Sequence, residues 1–173
     1  VLFVADEIAV GMGRTGTLWA MQQAGVSPDL MLIGKGLSGG FLPLSAVLTS
    51  EAIYQAFYDD YASLKAFLHS HSYSANPLAC AAALAAFKAL EEDAVLARNR
   101  TLETAMDAAL APLAAHPNVL EYRRTGTIAA LELTRDKAHG LPYDWRERRG
   151  LTVYRHGLQR EALLRPLGSV VYL

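Results

Sequence analysis

The sequence lacks three features that would each define a class of protein. It has one cysteine, Cys80, so no internal disulfide can form, which favours a reducing compartment such as the cytoplasm. Its 16 basic side chains do not outnumber the 17 acidic ones, so no positive field holds a nucleic-acid backbone. The longest apolar run, residues 77–87, is far short of the roughly 20 residues that span a bilayer. We therefore expect no nucleic-acid or membrane partner.

The composition is that of an ordinary globular chain, and both of its ends have strand patterns. Of 173 residues, 52% are hydrophobic and 19% are charged, which is enough for one sizeable core, alone or with a small second lobe. Residues 1–5 and 170–173 are apolar on both faces of a strand, and such strands are covered on both sides in parallel sheets. We therefore expect the chain to be part of a longer protein, with part of any site outside it.

The first half alternates between strand and helix patterns. Strands are predicted at residues 1–5, 30–33 and 44–49. Helices are predicted at 17–24, closed by Gly25, and from 51 to 57, capped by Ser50. This order predicts an α/β fold in which a mostly parallel sheet is covered by helices. Residues 58–75 are polar, aromatic and irregular, which is typical of a functional or mobile loop.

The second half opens with a helix start at Asn76-Pro77. Residues 78–91 continue that helix, and a second helix is predicted over 94–115. Strands at 119–123 and 127–133, a helix near 146–160, and strand-like residues at 163–164 and 170–173 follow. We expect residues 1–92 to be part of a large domain, and 93–173 to form a small, incomplete α+β domain.

Two carboxylates, Asp6 and Glu7, follow the first predicted strand. Ligands of open α/β sheets bind at the carboxyl ends of the strands, and a partly buried carboxylate there needs a cationic or N–H partner. Ile8 shares a face with Asp6 if the strand continues. The alternative is that Asp6 only caps a loop or pairs with Arg14.

Two glycine-rich segments come next. Residues 11–16 match the G-x-G-x-x-G pattern. However, five residues separate them from the strand, and the next acid, Asp29, comes too early to bind a ribose. A plain turn is therefore favoured over a dinucleotide site. Residues 34–40 place Lys35 between two glycines. A partly desolvated lysine can act as a nucleophile or a base, whereas a solvated surface lysine is the alternative.

Two further groups of polar side chains are candidates for binding. His69 and His71 are two residues apart, as metal ligands on a strand can be, but no third ligand has suitable spacing. A polar loop that presents hydroxyl and N–H groups to an anion is therefore favoured, and no metal is expected. Arg165 lies between apolar segments, where it could bind a planar carboxylate or form a salt bridge.

Five segments together carry a family resemblance: residues 5–8, 11–16, 28–30, 34–40 and 76–82. They have the order and spacing of class III pyridoxal-phosphate aminotransferases, and the chain resembles that family over essentially its whole length. The resemblance implies the fold type I architecture of pyridoxal-phosphate transferases. It also implies that residues 1–92 are part of the large cofactor-binding domain.

The resemblance implies how the cofactor, pyridoxal 5'-phosphate, is held. Lys35 would be linked covalently to it and would carry a proton during the reaction. Asp6 would pair with the protonated pyridine nitrogen, and Ile8 would press on one ring face. Ser72, with the His71 backbone, would hold the cofactor phosphate of the neighbouring subunit. A homodimer with a shared site is therefore implied.

The resemblance also implies substrate contacts. Besides Lys35, Ser70 would lie near the substrate, Arg165 would bind the carboxylate of the keto acceptor, and Tyr172 would form part of the substrate wall. Residues 69–73 and 164–172 resemble the branch of the family that acts in biotin synthesis, and Ala9 stands where many other members carry Gln. This branch moves an amino group from S-adenosylmethionine to 8-amino-7-oxononanoate, giving 7,8-diaminononanoate.

Other functions remain open at this point. The nearest alternative is another class III aminotransferase that acts on ω-amino acids, ornithine or 4-aminobutyrate. A metal-dependent hydrolase that uses His69 and His71, and a binding module without catalysis, are more distant alternatives. Because the family's remaining cofactor contacts lie upstream of Val1, we expect the 173-residue chain to be inactive alone.

Overall fold

The computed structural model describes every residue from Val1 to Leu173. The chain divides into two compact units, Val1–Leu96 and Ala97–Leu173. There is one three-stranded sheet in the first unit and one four-stranded sheet in the second. The longest helices have 16 residues, and none combines the length and the hydrophobicity that a membrane crossing requires.

Three strands form the sheet of the first unit in the order of the chain: β1 (Val4–Asp6), β2 (Leu30–Ile33) and β3 (Ala46–Thr49). β1 and β2 are parallel, with Asp6 opposite Leu32. β3 pairs with the other edge of β2 in the antiparallel direction, so the sheet is mixed. β2 has its predicted bounds. β1 was predicted over residues 1–5 but spans Val4–Asp6, so Asp6 is its last residue.

Two helices of the first unit differ in length from their predictions. α1 (Glu51–Gln55) ends two residues early, and the helix predicted over 17–24 is a 3₁₀ helix over Ala20–Ala24. It begins late because the Thr17 hydroxyl donates to the Trp19 carbonyl at 2.7 Å and Trp19 has an extended backbone. Gly25 closes it in the left-handed conformation, as predicted.

The helix predicted to begin at Asn76-Pro77 is confirmed as α2 (Pro77–Glu92). The Asn76 side-chain oxygen accepts hydrogen bonds from the N–H groups of Leu78, at 3.0 Å, and Ala79, at 3.4 Å. Pro77 occupies the first helical position, where an N–H would have no partner. Both residues therefore specify where α2 begins.

α2 packs against the 3₁₀ helix Lys35–Ser38 through its small side chains. Ala79 and Ala83 are buried, and alanine lets a helix approach its neighbour closely. The core of this unit contains buried side chains of β2, the 3₁₀ helix and α2, with Phe87 packed against it: Met31, Ile33, Leu37 and Ala83. The segment that carries Lys35 is thus attached to the core.

A buried carboxylate, Glu7, holds the loop that follows β1. Only 3% of its surface is exposed, and its Oε2 and Oε1 accept hydrogen bonds from the N–H groups of Ala20, at 2.9 Å, and Met21, at 2.8 Å. N–H groups at the start of a helix have no partner within the helix, so the buried charge meets the donors that it needs. The glycine-rich segment 11–16 forms turns inside this closed loop.

Four strands form the sheet of the second unit: β4 (Val119–Thr125), β5 (Ile128–Leu133), β6 (Arg165–Leu167) and β7 (Val170–Tyr172). Their order is β4-β5-β7-β6, and every neighbouring pair is antiparallel. The strand predicted at 163–164 is wrong, because the strand begins at Arg165. β6 contains Pro166, which an edge strand tolerates because its missing N–H breaks no ladder.

The two α-helices that follow α2 are shorter than predicted. α3 (Val95–Leu110) is followed by a 3₁₀ helix over Ala111–Ala115, because Pro112 cannot continue an α-helix. α4 (Arg149–Leu158) begins after a separate 3₁₀ turn. A Cβ at Gly150 would lie 2.8 Å from the Pro166 Cβ, so the absence of a side chain lets α4 pack directly on β6.

An ion-pair cluster joins α3 to β4 within the second unit. Arg124 binds Asp107 through two parallel hydrogen bonds, Nε to Oδ1 and Nη2 to Oδ2, each 2.8 Å long. Its Nη1 donates to Glu103 at 3.1 Å, and the Tyr122 hydroxyl donates to Asp107 at 2.8 Å. The Arg124 hydrogen bonds, followed by that of Tyr122, hold the pKa of Asp107 below its ordinary value.

The loop held by Glu7 provides a test of the first unit. In the complete protein we expect Glu7→Gln to destabilise this loop by about 2 kcal/mol, because the amide cannot accept two charge-assisted hydrogen bonds. Hydrogen exchange at the amides of Ala20 and Met21 measures this loss. Glu91→Gln, which removes an exposed acid, is the matched control and is expected to change little. Unchanged protection at both amides in Glu7→Gln would contradict the assigned role.

The Asp107 cluster predicts an acid-dependent loss of local stability. Because its folded-state pKa is lowered from 3.8, the Asp107 contribution is present above that value and is lost as the pH falls through the lower, folded-state pKa. Hydrogen exchange of α3 and β4 in the complete protein, followed from about pH 5 to about pH 3, should show a smaller change in Asp107→Asn than in the unaltered protein. Asp93→Asn, which removes an exposed carboxylate, should behave like the unaltered protein; equal pH profiles for all three would refute the prediction.

Candidate active site

The parallel pairing of β1 and β2 brings Asp6 and Lys35 to one edge of the sheet. Asp6 is the last residue of β1, and Lys35 is the second residue after β2. The carboxyl ends of neighbouring parallel strands lie side by side, which is where open α/β sheets bind ligands. The first unit therefore presents a carboxylate and an amine from adjacent strands at this edge.

One carboxylate oxygen of Asp6 binds the backbone, and the other remains available as a hydrogen-bond acceptor. Its Oδ1 accepts a hydrogen bond from the Ile8 N–H at 3.0 Å, which is the loop-capping interaction considered from the sequence. Its Oδ2 makes no hydrogen bond or ion pair within the chain, and the residue is exposed. The carboxylate thus has one oxygen available to a cationic N–H group.

Lys35 is exposed on a turn whose other side chains are buried. It begins the 3₁₀ helix Lys35–Ser38, in which Leu37 and Ser38 are buried. The Ser38 hydroxyl donates to the Leu42 carbonyl, which attaches the far end of the turn. The Lys35 amine has no ion pair or hydrogen bond within the chain. The turn is therefore anchored while its amine stays accessible.

An apolar side chain lies beside this amine-bearing turn. A Cβ at Gly34 would lie 3.5 Å from Cγ2 of Ile8, so Ile8 contacts the residue before Lys35. Ile8 is half-buried. Asp6, Ile8 and Lys35, the three residues that the family resemblance assigns to the cofactor ring, therefore lie at the same edge of the sheet.

Ser70, His71 and Ser72 lie in the exposed loop that precedes α2. The His71 N–H donates to Ser74 Oγ at 3.2 Å, and His71 Nδ1 accepts from the Tyr73 N–H at 3.2 Å. The hydroxyls of Ser70 and Ser72 make no hydrogen bond within the chain. No three His, Cys, Asp or Glu side chains come together as a metal site.

Arg165 and Tyr172 come together in the second unit. They are direct partners across the antiparallel pair β6 and β7, so their side chains emerge on the same face of the sheet. Arg165 is exposed and forms no ion pair, so the salt bridge considered from the sequence is absent. A guanidinium and a phenol therefore emerge side by side from neighbouring strands.

The sequence did not distinguish the role of Glu7 from that of Asp6. The two carboxylates are adjacent, and neighbouring residues of a strand point to opposite faces. Glu7 is buried and saturated by backbone N–H groups, whereas Asp6 is exposed. Alternation of burial along β1, continued into Glu7 directly after the strand, was the available signal, and it separates the structural acid from the candidate functional one.

Comparisons with known proteins give the family that the sequence resembles. The sequence model of the family Aminotransferase class-III matches residues 1–171. An adenosylmethionine-8-amino-7-oxononanoate aminotransferase from Geobacter sulfurreducens is 39% identical over 173 residues, which are 100% of this chain and 38% of that protein. The chain thus spans well under half the length of this relative.

Solved structures have the same fold. The crystal structure of the adenosylmethionine-8-amino-7-oxononanoate aminotransferase from Methanocaldococcus jannaschii has a TM-score of 0.96 and 33% identity, covering 100% of this chain and 40% of that one. A pyridoxal-phosphate-bound mutant aminotransferase from Vibrio fluvialis has a TM-score of 0.93 and 28% identity, covering 100% and 38%. These likenesses confirm the predicted α/β architecture of fold type I. The family match over nearly the whole chain confirms the predicted resemblance, and the chain belongs to the class III aminotransferases.

Proposed function

We propose that the protein containing this chain is a pyridoxal-phosphate-dependent aminotransferase that moves an amino group from S-adenosylmethionine to 8-amino-7-oxononanoate. The observation that carries this proposal is the parallel pairing of β1 and β2, which puts an available Asp6 carboxylate oxygen and an exposed Lys35 amine at the same edge of the sheet. The name of the Geobacter relative, which is similar over the whole of this chain, supports the choice of substrates.

The residues at this edge fit pyridoxal phosphate. An aldehyde needs an accessible amine, and Lys35 is exposed with no carboxylate bound to it. A protonated pyridine nitrogen needs an acceptor, and Oδ2 of Asp6 makes no bond within the chain. The flat face of the ring needs an apolar contact, and Ile8 lies beside the Lys35 turn. The three side chains therefore supply the amine, the acceptor and the apolar surface that the cofactor requires.

The chemistry follows from what each side chain does. When bound, pyridoxal phosphate supplies an electron sink for the substrate carbon. Asp6 keeps the proton on the ring nitrogen, because an ionised acceptor favours the charged form of its partner. Once the substrate amine had replaced it on the cofactor, Lys35 Nζ would accept the proton from the carbon that bears that amine and would donate it to the cofactor carbon that keeps the amino group. Ile8 excludes water from one side, which strengthens the charge interactions at the site.

We propose that the loop before α2 serves a second copy of this chain. Ser72, with the backbone of His71, would hold the cofactor phosphate of the neighbouring subunit, and Ser70 would lie near the substrate. The unpartnered hydroxyls of this loop support an anion ligand. Large apolar side chains nearby support coverage by protein, since Tyr61 and Leu68 are 95% and 94% exposed. A homodimer with a shared site follows.

We further propose that Arg165 binds the carboxylate of the keto acceptor and that Tyr172 lines the same site. An unpaired guanidinium binds a planar carboxylate through two hydrogen bonds, and Tyr172 emerges on the same face as Arg165. Residues 1–92 would belong to the large cofactor-binding domain and 93–173 to the small one. The single cysteine supports the cytoplasm as the compartment.

Covalent mapping tests the role of Lys35. The complete protein loaded with pyridoxal phosphate should be yellow, and after borohydride reduction peptide mass analysis should find the cofactor on Lys35. Lys35→Ala should form no adduct, and its kcat should fall by about 100-fold or more. Asp6→Asn should lower kcat by about 100-fold. Lys88→Ala, which removes an exposed lysine of α2, is the matched control. An unmodified Lys35 in a colourless preparation would refute the proposal.

Donor and acceptor are tested separately. We expect the complete enzyme to form 7,8-diaminononanoate from 8-amino-7-oxononanoate when S-adenosylmethionine is present. In parallel reactions, lysine, ornithine or 4-aminobutyrate replaces S-adenosylmethionine as the amine donor. Formation of 7,8-diaminononanoate is measured by mass spectrometry in each reaction. Bleaching of the yellow form by one of these amines, with none by S-adenosylmethionine, would assign the protein to another substrate class within the family.

A further inference from the structure

Both glycines beside Lys35 are covered by side chains of the loop that follows β1. Ile8 lies against Gly34, and Met12 lies still closer to Gly36: a Cβ at Gly36 would be 2.9 Å from Met12 Cβ and 3.1 Å from Met12 Cγ. The Gly36 backbone is outside the left-handed region, so its φ does not require glycine. The close approach of Met12 is what requires the absence of a side chain at position 36.

Met12 itself and Lys35, the residue before Gly36, both have unusual backbone conformations. Met12 has φ 57° and Lys35 has φ 45°. Side-chain-bearing residues adopt this left-handed region rarely, and they remain in it only where surrounding contacts determine the conformation. For Lys35, the contacts on its two sides are those of Gly34 with Ile8 and of Gly36 with Met12.

The loop that carries Met12 is itself fixed. The Gly11 N–H donates to the Glu7 carbonyl at 2.9 Å, and the Glu7 carboxylate binds the start of the next 3₁₀ helix. A Cβ at Gly11 would lie 2.7 Å from the Trp19 ring, so this end of the loop is closely packed. Met12 therefore extends from a closed loop onto the Lys35 turn.

We propose that Met12 is a positioning residue for Lys35. Its side chain, packed on Gly36, keeps the left-handed backbone at Lys35 and thereby sets the origin and direction of the lysine side chain. The Lys35 amine is exposed and has no partner within the chain that would orient it, so the backbone at its base is what determines where it reaches. This inference rests on the proposed role of Lys35 as the cofactor-linked amine.

Four variants of the complete enzyme test the contact: Met12→Gly, Met12→Leu, Gly36→Ala and the pair Met12→Gly with Gly36→Ala. Met12→Gly and Gly36→Ala should each lower kcat about tenfold with KM nearly unchanged, because a displaced reacting group loses rate more than binding. Met12→Leu keeps the volume and should retain most activity. The pair should recover part of the loss of Gly36→Ala, because the new Cβ then occupies space that Met12 Cβ has left.

Two readouts separate positioning from general destabilisation. One is the pH at which the yellow absorbance of the cofactor-linked enzyme changes, which should move by about half a unit in Met12→Gly and Gly36→Ala. The other is the rate at which Lys35 in the cofactor-free protein reacts with an amine-directed reagent, followed by peptide mass analysis. Met21→Ala, which truncates a methionine packed on the core, should lower thermal stability and leave both readouts unchanged.

The outcomes distinguish this inference from the proposed function. If the unaltered enzyme links the cofactor to Lys35 but Met12→Gly and Gly36→Ala change only thermal stability, Met12 is not a positioning residue and the proposed function stands. If the unaltered enzyme forms no link at Lys35, the proposed function fails first. Altered Lys35 reactivity in Met12→Gly and Gly36→Ala, retained in Met12→Leu and partly restored in the pair, supports the inference.

Discussion

The register between β1 and β2 is the constraint on which the candidate site depends. Asp6 is opposite Leu32 in a parallel pair, so the end of β1 and the turn after β2 share one edge of the sheet. A slip of one residue would exchange the faces of Asp6 and Glu7. It would place a saturated structural acid at the open edge and an unpaired carboxylate in the interior, which costs free energy. Burial of Glu7 therefore favours the register that exposes Asp6.

The turn that carries Lys35 is anchored to the core at one end and exposes its amine at the other. Leu37 belongs to the core and Ser38 is buried and hydrogen-bonded, three residues or fewer from an exposed amine. Alanines on α2 allow the helix to approach this turn closely. Packing thus holds the backbone without desolvating the amine, which is the arrangement that a covalently linked cofactor requires.

Short sequence patterns predicted correctly those helices and strands whose ends are determined by residues close in sequence. The bounds of β2 were predicted to the residue because the apolar run ends at Gly34. The start of α2 was predicted because Asn76 caps the helix and Pro77 is suited to its first position. The start of β6 was missed because Pro166 argues against a strand unless the edge is known. That Asp6 and Lys35 belong to one site was implied only by the family resemblance, and the parallel pairing of β1 and β2 explains why they share an edge of the sheet. The Met12–Gly36 contact could not be predicted, since an approach between two turns leaves no periodic pattern in a sequence.

Two pairs of like residues show how structural and candidate functional groups differ. Both carboxylate oxygens of Glu7 accept hydrogen bonds, and all three side-chain nitrogens of Arg124 donate them, so both residues are part of what holds their units together. Asp6 and Arg165 have the same chemistry, but each presents polar atoms that no group of the chain binds. A charged side chain that forms no ion pair within the chain gains no stability for the fold from such a pair. Its available hydrogen-bonding capacity is what a cofactor nitrogen or a substrate carboxylate would use, and this property separates Asp6 from Glu7 and Arg165 from Arg124.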